Sequence, residues 1–93
     1  MLLDVIDVKT NADFSLDLLF DNGEWRRFDM KPLLAITPWS RIDGARDFRR
    51  ARAEQGTVVW PGEIDVAPET LYDGSIPLAN VKSDPTSIAR EQT

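Results

Sequence analysis

The sequence predicts a small α+β domain: an antiparallel β-sheet built from hairpins, with two or three short helices. Three observations carry this. Phe14 to Phe20 alternates apolar and polar side chains, the period of a half-buried strand. Asn22-Gly23 follows, a dipeptide suited to a two-residue type I′ hairpin turn. A second run, Thr57-Val58-Val59-Trp60, is β-branched and aromatic, stops at Pro61-Gly62, and leads to a helical start at Pro68.

The elements follow in order. Leu2 to Lys9 has strand composition, with Leu3, Val5, Ile6 and Val8 among Asp4 and Asp7. Asn11-Ala12-Asp13 breaks it. In the next strand Phe14, Leu16, Leu18 and Phe20 share one face, and Leu19 departs from the alternation. A two-residue turn at Asn22-Gly23 pairs Phe20 with Trp25 and Leu18 with Arg27, which sets Phe28 on the face opposite Trp25. Either both faces are partly covered or a bulge shifts the register. Asp29 is placed to cap a helical turn through Met30–Leu34, which Pro38 ends. Asp43 is a second N-cap, opening a helix over about 44–50 with Ala45 and Phe48 inward and Arg46, Arg49 and Arg50 outward.

Ala51–Gln55 reads as extended, and Gly56 turns the chain into 57–60. Glu63–Val66 is extended again, a last helix covers 68–73, and Gly74 stops it. One domain, 1–74, is expected, followed by a mobile or partner-docking tail, 75–93, with Ile76, Leu78, Val81 and Ile88 as its anchors. The expected core is Leu16, Leu18, Phe20, Phe48, Val59, Trp60 and Leu71, with Trp25 also packed inside.

Composition narrows the function classes. The apolar fraction of 42% is enough to form a core. The chain has neither Cys nor His, so it lacks disulfides, a thiol nucleophile, the usual neutral-pH base and the commonest transition-metal ligands. The glycines are scattered singly and form no phosphate loop. Ser40 and Ser75 have no His to activate them. The start, MLLDVIDVKT, lacks a basic region and a continuous apolar stretch, and no apolar run approaches the roughly 20 residues of a membrane span. A cytoplasmic protein without membrane association is expected.

The net charge is −5, but it is uneven. Between residues 41 and 52, five arginines (Arg41, Arg46, Arg49, Arg50, Arg52) stand against Asp43 and Asp47, a balance of +3 that leaves −8 elsewhere. An acidic chain with one basic island is a poor general nucleic-acid binder, since phosphate contacts demand a broad basic face.

FDNGEWRRFDMKPLL at 20–34 and GTVVWPGEIDVAPETLY at 56–72 resemble a bacterial domain-of-unknown-function family, number twenty-four forty-two. Gly56, Val59, Trp60, Pro61, Asp65, Pro68, Leu71 and Tyr72 carry the more specific half of the likeness, which spans about residues 3–74. Pro61-Gly62-Glu63 departs from the Gly-rich or Asn-containing turn common in the family. The resemblance implies a small α+β domain with an antiparallel sheet and no enzyme activity to carry over. It also implies an accessory role, since some members neighbour another small protein in a toxin–antitoxin-like arrangement and some precede a DNA-binding domain.

Three readings of function stand side by side. The first is a protein-interaction module using Trp39, in a loop after Pro38, with Arg46, Arg49 and Arg50 facing an acidic protein partner. The second is a nucleic-acid-associated regulator using the same arginines. The third is a carboxylate-dependent metal enzyme at Glu63, Asp65 and Glu69. Against the third, Glu69 suits a helix N-terminus and Asp65 suits its free N–H groups. No cofactor or metal is expected, no enzyme activity is expected, and a homo-oligomer remains open.

Overall fold

The computed structural model describes residues 3–78. Within them the chain is an α+β domain of two antiparallel sheets and short helices. The first sheet has the order β1-β2-β3-β7, from β1 (Val5–Thr10), β2 (Ser15–Phe20), β3 (Trp25–Asp29) and β7 (Ile76–Pro77). The second has the order β4-β5-β6, from β4 (Arg52–Glu54), β5 (Thr57–Trp60) and β6 (Ile64–Val66). Between the sheets in sequence lie α1 (Lys31–Leu34), a 3-10 turn (Trp39–Arg41) and α2 (Gly44–Phe48). Helix α3 (Pro68–Asp73) precedes β7. No helix among the described residues is long and apolar enough to cross a membrane.

The β2–β3 register differs by one residue from the expected pairing. Trp25 pairs with Leu19, Arg27 with Asp17 and Phe28 with Leu16. The loop has three residues, not two. Gly23 N–H donates to Phe20 O and Phe20 N–H to Glu24 O, both at 2.9 Å, and only Gly23 takes a positive φ, of 89°. This is a type I turn closed by a left-handed bulge residue. Asn22 stays right-handed because its side-chain oxygen accepts the Glu24 N–H at 3.0 Å. The β1–β2 loop repeats the pattern: Phe14 N–H donates to Asn11 O, Asn11 N–H to Ser15 O, and Phe14 holds the bulge position at φ 65°. The two-residue turn occurs at Gln55-Gly56 instead, where φ is 52° and 82° and Glu54 pairs with Thr57.

The shifted register places Leu16, Leu18, Phe20 and Phe28 together in the core, with Val5, Met30, Ile42, Phe48, Val58, Trp60, Ile64, Val66 and Leu71. Two expected core residues are corrected. Val58, not Val59, is buried. Strand alternation makes Val59 and Trp60 incompatible on one face, and Trp60 takes the inner one. Trp25 is half-buried on the outer face, where the Lys9 ammonium lies 5.1 Å from its ring. Phe48 anchors the core between Phe14 and Trp60, at ring separations of 5.2 and 6.0 Å.

The helices are short, and their caps differ from expectation. Met30 is the N-cap residue of α1, while Asp29 accepts the Lys31 N–H at 3.0 Å. Asp43 is the N-cap residue of α2 but its side chain caps nothing; its own N–H donates to Asp47 Oδ2 at 3.1 Å. The helix ends at Phe48, before residue 50, and Ala45 is exposed rather than inward, leaving Phe48 as the buried residue of α2. Helix α3 runs from Pro68 as expected. Gly74 ends it with an ordinary negative φ of −89°. What Gly74 provides is room, since a Cβ there would lie 2.8 Å from Phe28 Cε1.

The domain also extends past residue 74. Ser75 is buried, and Ile76 and Pro77 pair with Arg27 and Arg26 of β3. Arg26 holds this segment: Nε donates to Ser75 Oγ at 2.7 Å and Nη2 to Ser75 O at 2.8 Å, while the guanidinium lies 4.2 Å from the Tyr72 ring. The rest of the expected tail, 79–93, including Val81 and Ile88, lies outside the described residues.

Candidate interaction surface

The arginine island folds into one region of the surface. Arg41 ends the 3-10 turn, Arg46 sits in α2, Arg49 and Arg50 follow α2, and Arg52 opens β4. All five are exposed. Arg52 is paired with Glu54 at 2.8 Å. Arg41, Arg46, Arg49 and Arg50 form no ion pair with any described residue. The nearest acid of the helix, Asp47, already accepts a backbone N–H from Asp43.

Two hollows lie within the island. A cleft of about 320 Å³ is lined by Arg41, Asp47, Arg50, Pro61 and Gly62 over the buried side chains of Ile42, Trp60 and Ile64. A more open hollow is lined by Arg49, Arg50, Ala51, Arg52 and Pro61. Arg50 and Pro61 line both, so the two hollows lie on either side of these residues. Trp60 is fixed in place by its indole N–H, which donates to Phe48 O at 3.0 Å.

Of the residues singled out by sequence, Arg49 and Arg50 line these hollows, while Arg46 is exposed on α2 outside them. Trp39 is half-buried against the core, with its indole N–H donating to Asp65 O at 2.9 Å. That bond ties the 3-10 turn to the edge strand β6 and positions Arg41 two residues on. Sequence reasoning counted Arg41 in the island but did not single it out. It missed Ile42, Pro61 and Ile64, whose juxtaposition depends on the β5–β6 hairpin.

The remaining candidates do not assemble. Glu63, Asp65 and Glu69 are exposed, and among the described residues no group of three or more acids is disposed to hold a metal ion. Ser75 is engaged structurally, accepting from Arg26 and donating to Tyr72 O at 2.8 Å. The strongest polar couplings lie away from the island. Tyr72 donates to Glu24 Oε1 at 2.6 Å, and this bond, followed by that of the Asn22 amide, holds the Glu24 carboxyl below its ordinary 4.5. The same bond raises Tyr72 above 10.0. On the outer sheet face Arg27 donates to both oxygens of Asp17, at 2.7 and 3.1 Å, and its own pKa is raised chiefly by that bond.

With the two motifs now placed on the β2–β3 hairpin and on β5 to α3, residues 5–77 match the family described as "Protein of unknown function (DUF2442)". The chain belongs to this family. The match ends with β7, so the matched region includes the strand that closes the first sheet. No curated protein and no solved structure matches the chain.

Proposed function

We propose that this DUF2442 domain is a non-catalytic protein-interaction module, and that the arginine island is its working surface. One observation carries the reading: Arg41, Arg46, Arg49 and Arg50 stand exposed and unpaired with any described residue, three of them lining the hollows and Arg46 beside them in sequence, on a chain whose net charge is −5. Such guanidiniums gain no intramolecular stabilisation, and a carboxylate-bearing partner surface complements them. The antitoxin-like, accessory role implied by the family resemblance agrees with this. The acidity of the rest of the chain opposes binding to nucleic acid.

The test is affinity capture with the full chain and with Arg46→Glu, Arg49→Glu, beside a duplex-DNA shift assay at physiological salt. The expected result is a partner retained by the parent chain and lost by the reversal, with no shift of DNA. Capture that ignores the reversal, or DNA binding that the reversal abolishes, overturns the reading.

A further inference from the structure

We infer that the two hollows flanking Arg50 and Pro61 serve as a docking groove for an extended acidic peptide segment, in which carboxylates meet Arg41, Arg50 and Arg49 and one apolar side chain reaches the small part of Ile42, Trp60 and Ile64 that the cleft leaves open. The inference rests on the interaction reading and specifies its ligand.

Shape, charge and rigidity support it. The two hollows have Arg50 and Pro61 in common, so an extended segment that runs past Arg50 presents side chains to both, which a compact small molecule does not. Arg41 and Arg50 both line the narrower cleft, and a guanidinium fork matches a carboxylate in plane and spacing. The wall beneath is fixed: Ile42, Trp60 and Ile64 are core residues, and Trp60 is held by Phe48 O. The turn that carries Arg41 is tied to β6 by the Trp39–Asp65 bond. A fixed wall spares part of the ordering cost that a mobile surface would impose. The cleft also contains Asp47. Its carboxylate is engaged by the Asp43 N–H, and it disfavours a ligand with continuous negative charge, such as a polyphosphate backbone, more than one with spaced carboxylates.

The experiment titrates the full chain with the capped peptides Glu-Glu-Leu-Glu-Glu, Gln-Gln-Leu-Gln-Gln and Glu-Glu-Gly-Glu-Glu, and with a thymidine oligonucleotide. Binding is followed by calorimetry and by the indole N–H resonances of the three tryptophans. The acidic leucine peptide is expected to bind and to move the Trp60 indole signal. Replacing its Glu residues by Gln, or Arg50 or Arg41 of the protein by Gln, should weaken binding at least about tenfold, as loss of a charge-assisted bond does. The Leu→Gly peptide should bind more weakly than its parent. Lys31→Gln, a control on exposed α1, should change affinity less than about twofold, as expected for a remote charge. Equal binding of the Gln peptide, equal effects of Lys31→Gln and Arg50→Gln, or tighter binding of the oligonucleotide overturns the proposal. If the peptides fail while the Arg46→Glu, Arg49→Glu reversal still abolishes partner capture, the groove is refuted and the interaction reading survives.

Discussion

The indole N–H of Trp39 donates to the carbonyl oxygen of Asp65 at 2.9 Å, across 26 residues of sequence. The bond fastens the 3-10 turn to the free edge of β6 and satisfies a carbonyl that the three-stranded sheet leaves unpaired. Trp39→Phe keeps the ring and removes the donor. It should lower stability by about 0.5–1.5 kcal/mol, seen as a reduced urea midpoint at unchanged slope. Because Arg41 rides on the same turn, acidic-peptide affinity should fall as well.

Core depth on β5 alternates, and two neighbouring valines test it. Val58 is fully buried and Val59 is half-buried on the other face. Val58→Ala should cost about 1.5–2 kcal/mol, from two buried methyl groups at about 0.8 kcal/mol each, and Val59→Ala clearly less. Trp60→Ala should cost about 3–5 kcal/mol. Equal melting shifts for the two valine variants would contradict the strand's assigned face.

Two glycines should fail for different reasons when changed to Ala. At Gly23 the space is open but φ is +89°, so the cost is conformational, about 1–2 kcal/mol. At Gly74 the backbone is ordinary but the new Cβ would meet Phe28 Cε1 at 2.8 Å. Overpacking there should cost about 1–3 kcal/mol. Phe28→Leu should relieve part of the Gly74→Ala penalty and none of the Gly23→Ala penalty in double-mutant cycles.

The Tyr72–Glu24 bond predicts two pH limbs. Glu24 is depressed, so its contribution is present above its ordinary 4.5 and is lost as pH falls through the lower folded value. Tyr72 is raised, so its contribution is present below 10.0 and is lost as pH rises through the higher folded value. The chain has a single Tyr, so ultraviolet absorbance follows this group alone. Glu24→Gln should lower the folded tyrosine midpoint toward 10.0 and flatten the acid limb of urea stability. An unmoved midpoint would show that the bond does not form in solution.

Much of the architecture was legible because it is local. The alternation of Phe14–Phe20, the Pro68 start of α3 and the β-branched run at 57–60 are all short-range signals, and each became the expected element. The β2–β3 register was not legible. Asn22-Gly23 serves both two-residue and three-residue loops, and the Asn22 side chain, by bonding Glu24 N–H, decides between them. Nor did composition announce that Gln55-Gly56 would adopt the doubly left-handed turn. That turn lies against β1, where Gly56 O accepts the Val5 N–H at 2.8 Å, a contact from distant sequence. For the candidate surface, the arginines were visible as a run of charge. Their cleft was not, because its wall joins Ile42 to Trp60 and Ile64 through tertiary packing.

Strand order carries a kinetic consequence. β1, β2 and β3 pair as sequence neighbours, as do β4, β5 and β6, and only β7 returns from far along the chain. Among the described residues, the Val5–Gly56 bond is the one backbone hydrogen bond joining the two sheets. Each meander therefore closes only short loops as it forms, which favours rapid, independent nucleation of the two. Their union is enforced by interdigitated side chains. In native-state hydrogen exchange the two sheets, which share one core, should open together, and the amides of β3 facing β7 would report the closure that joins the chain's last described segment to its first sheet.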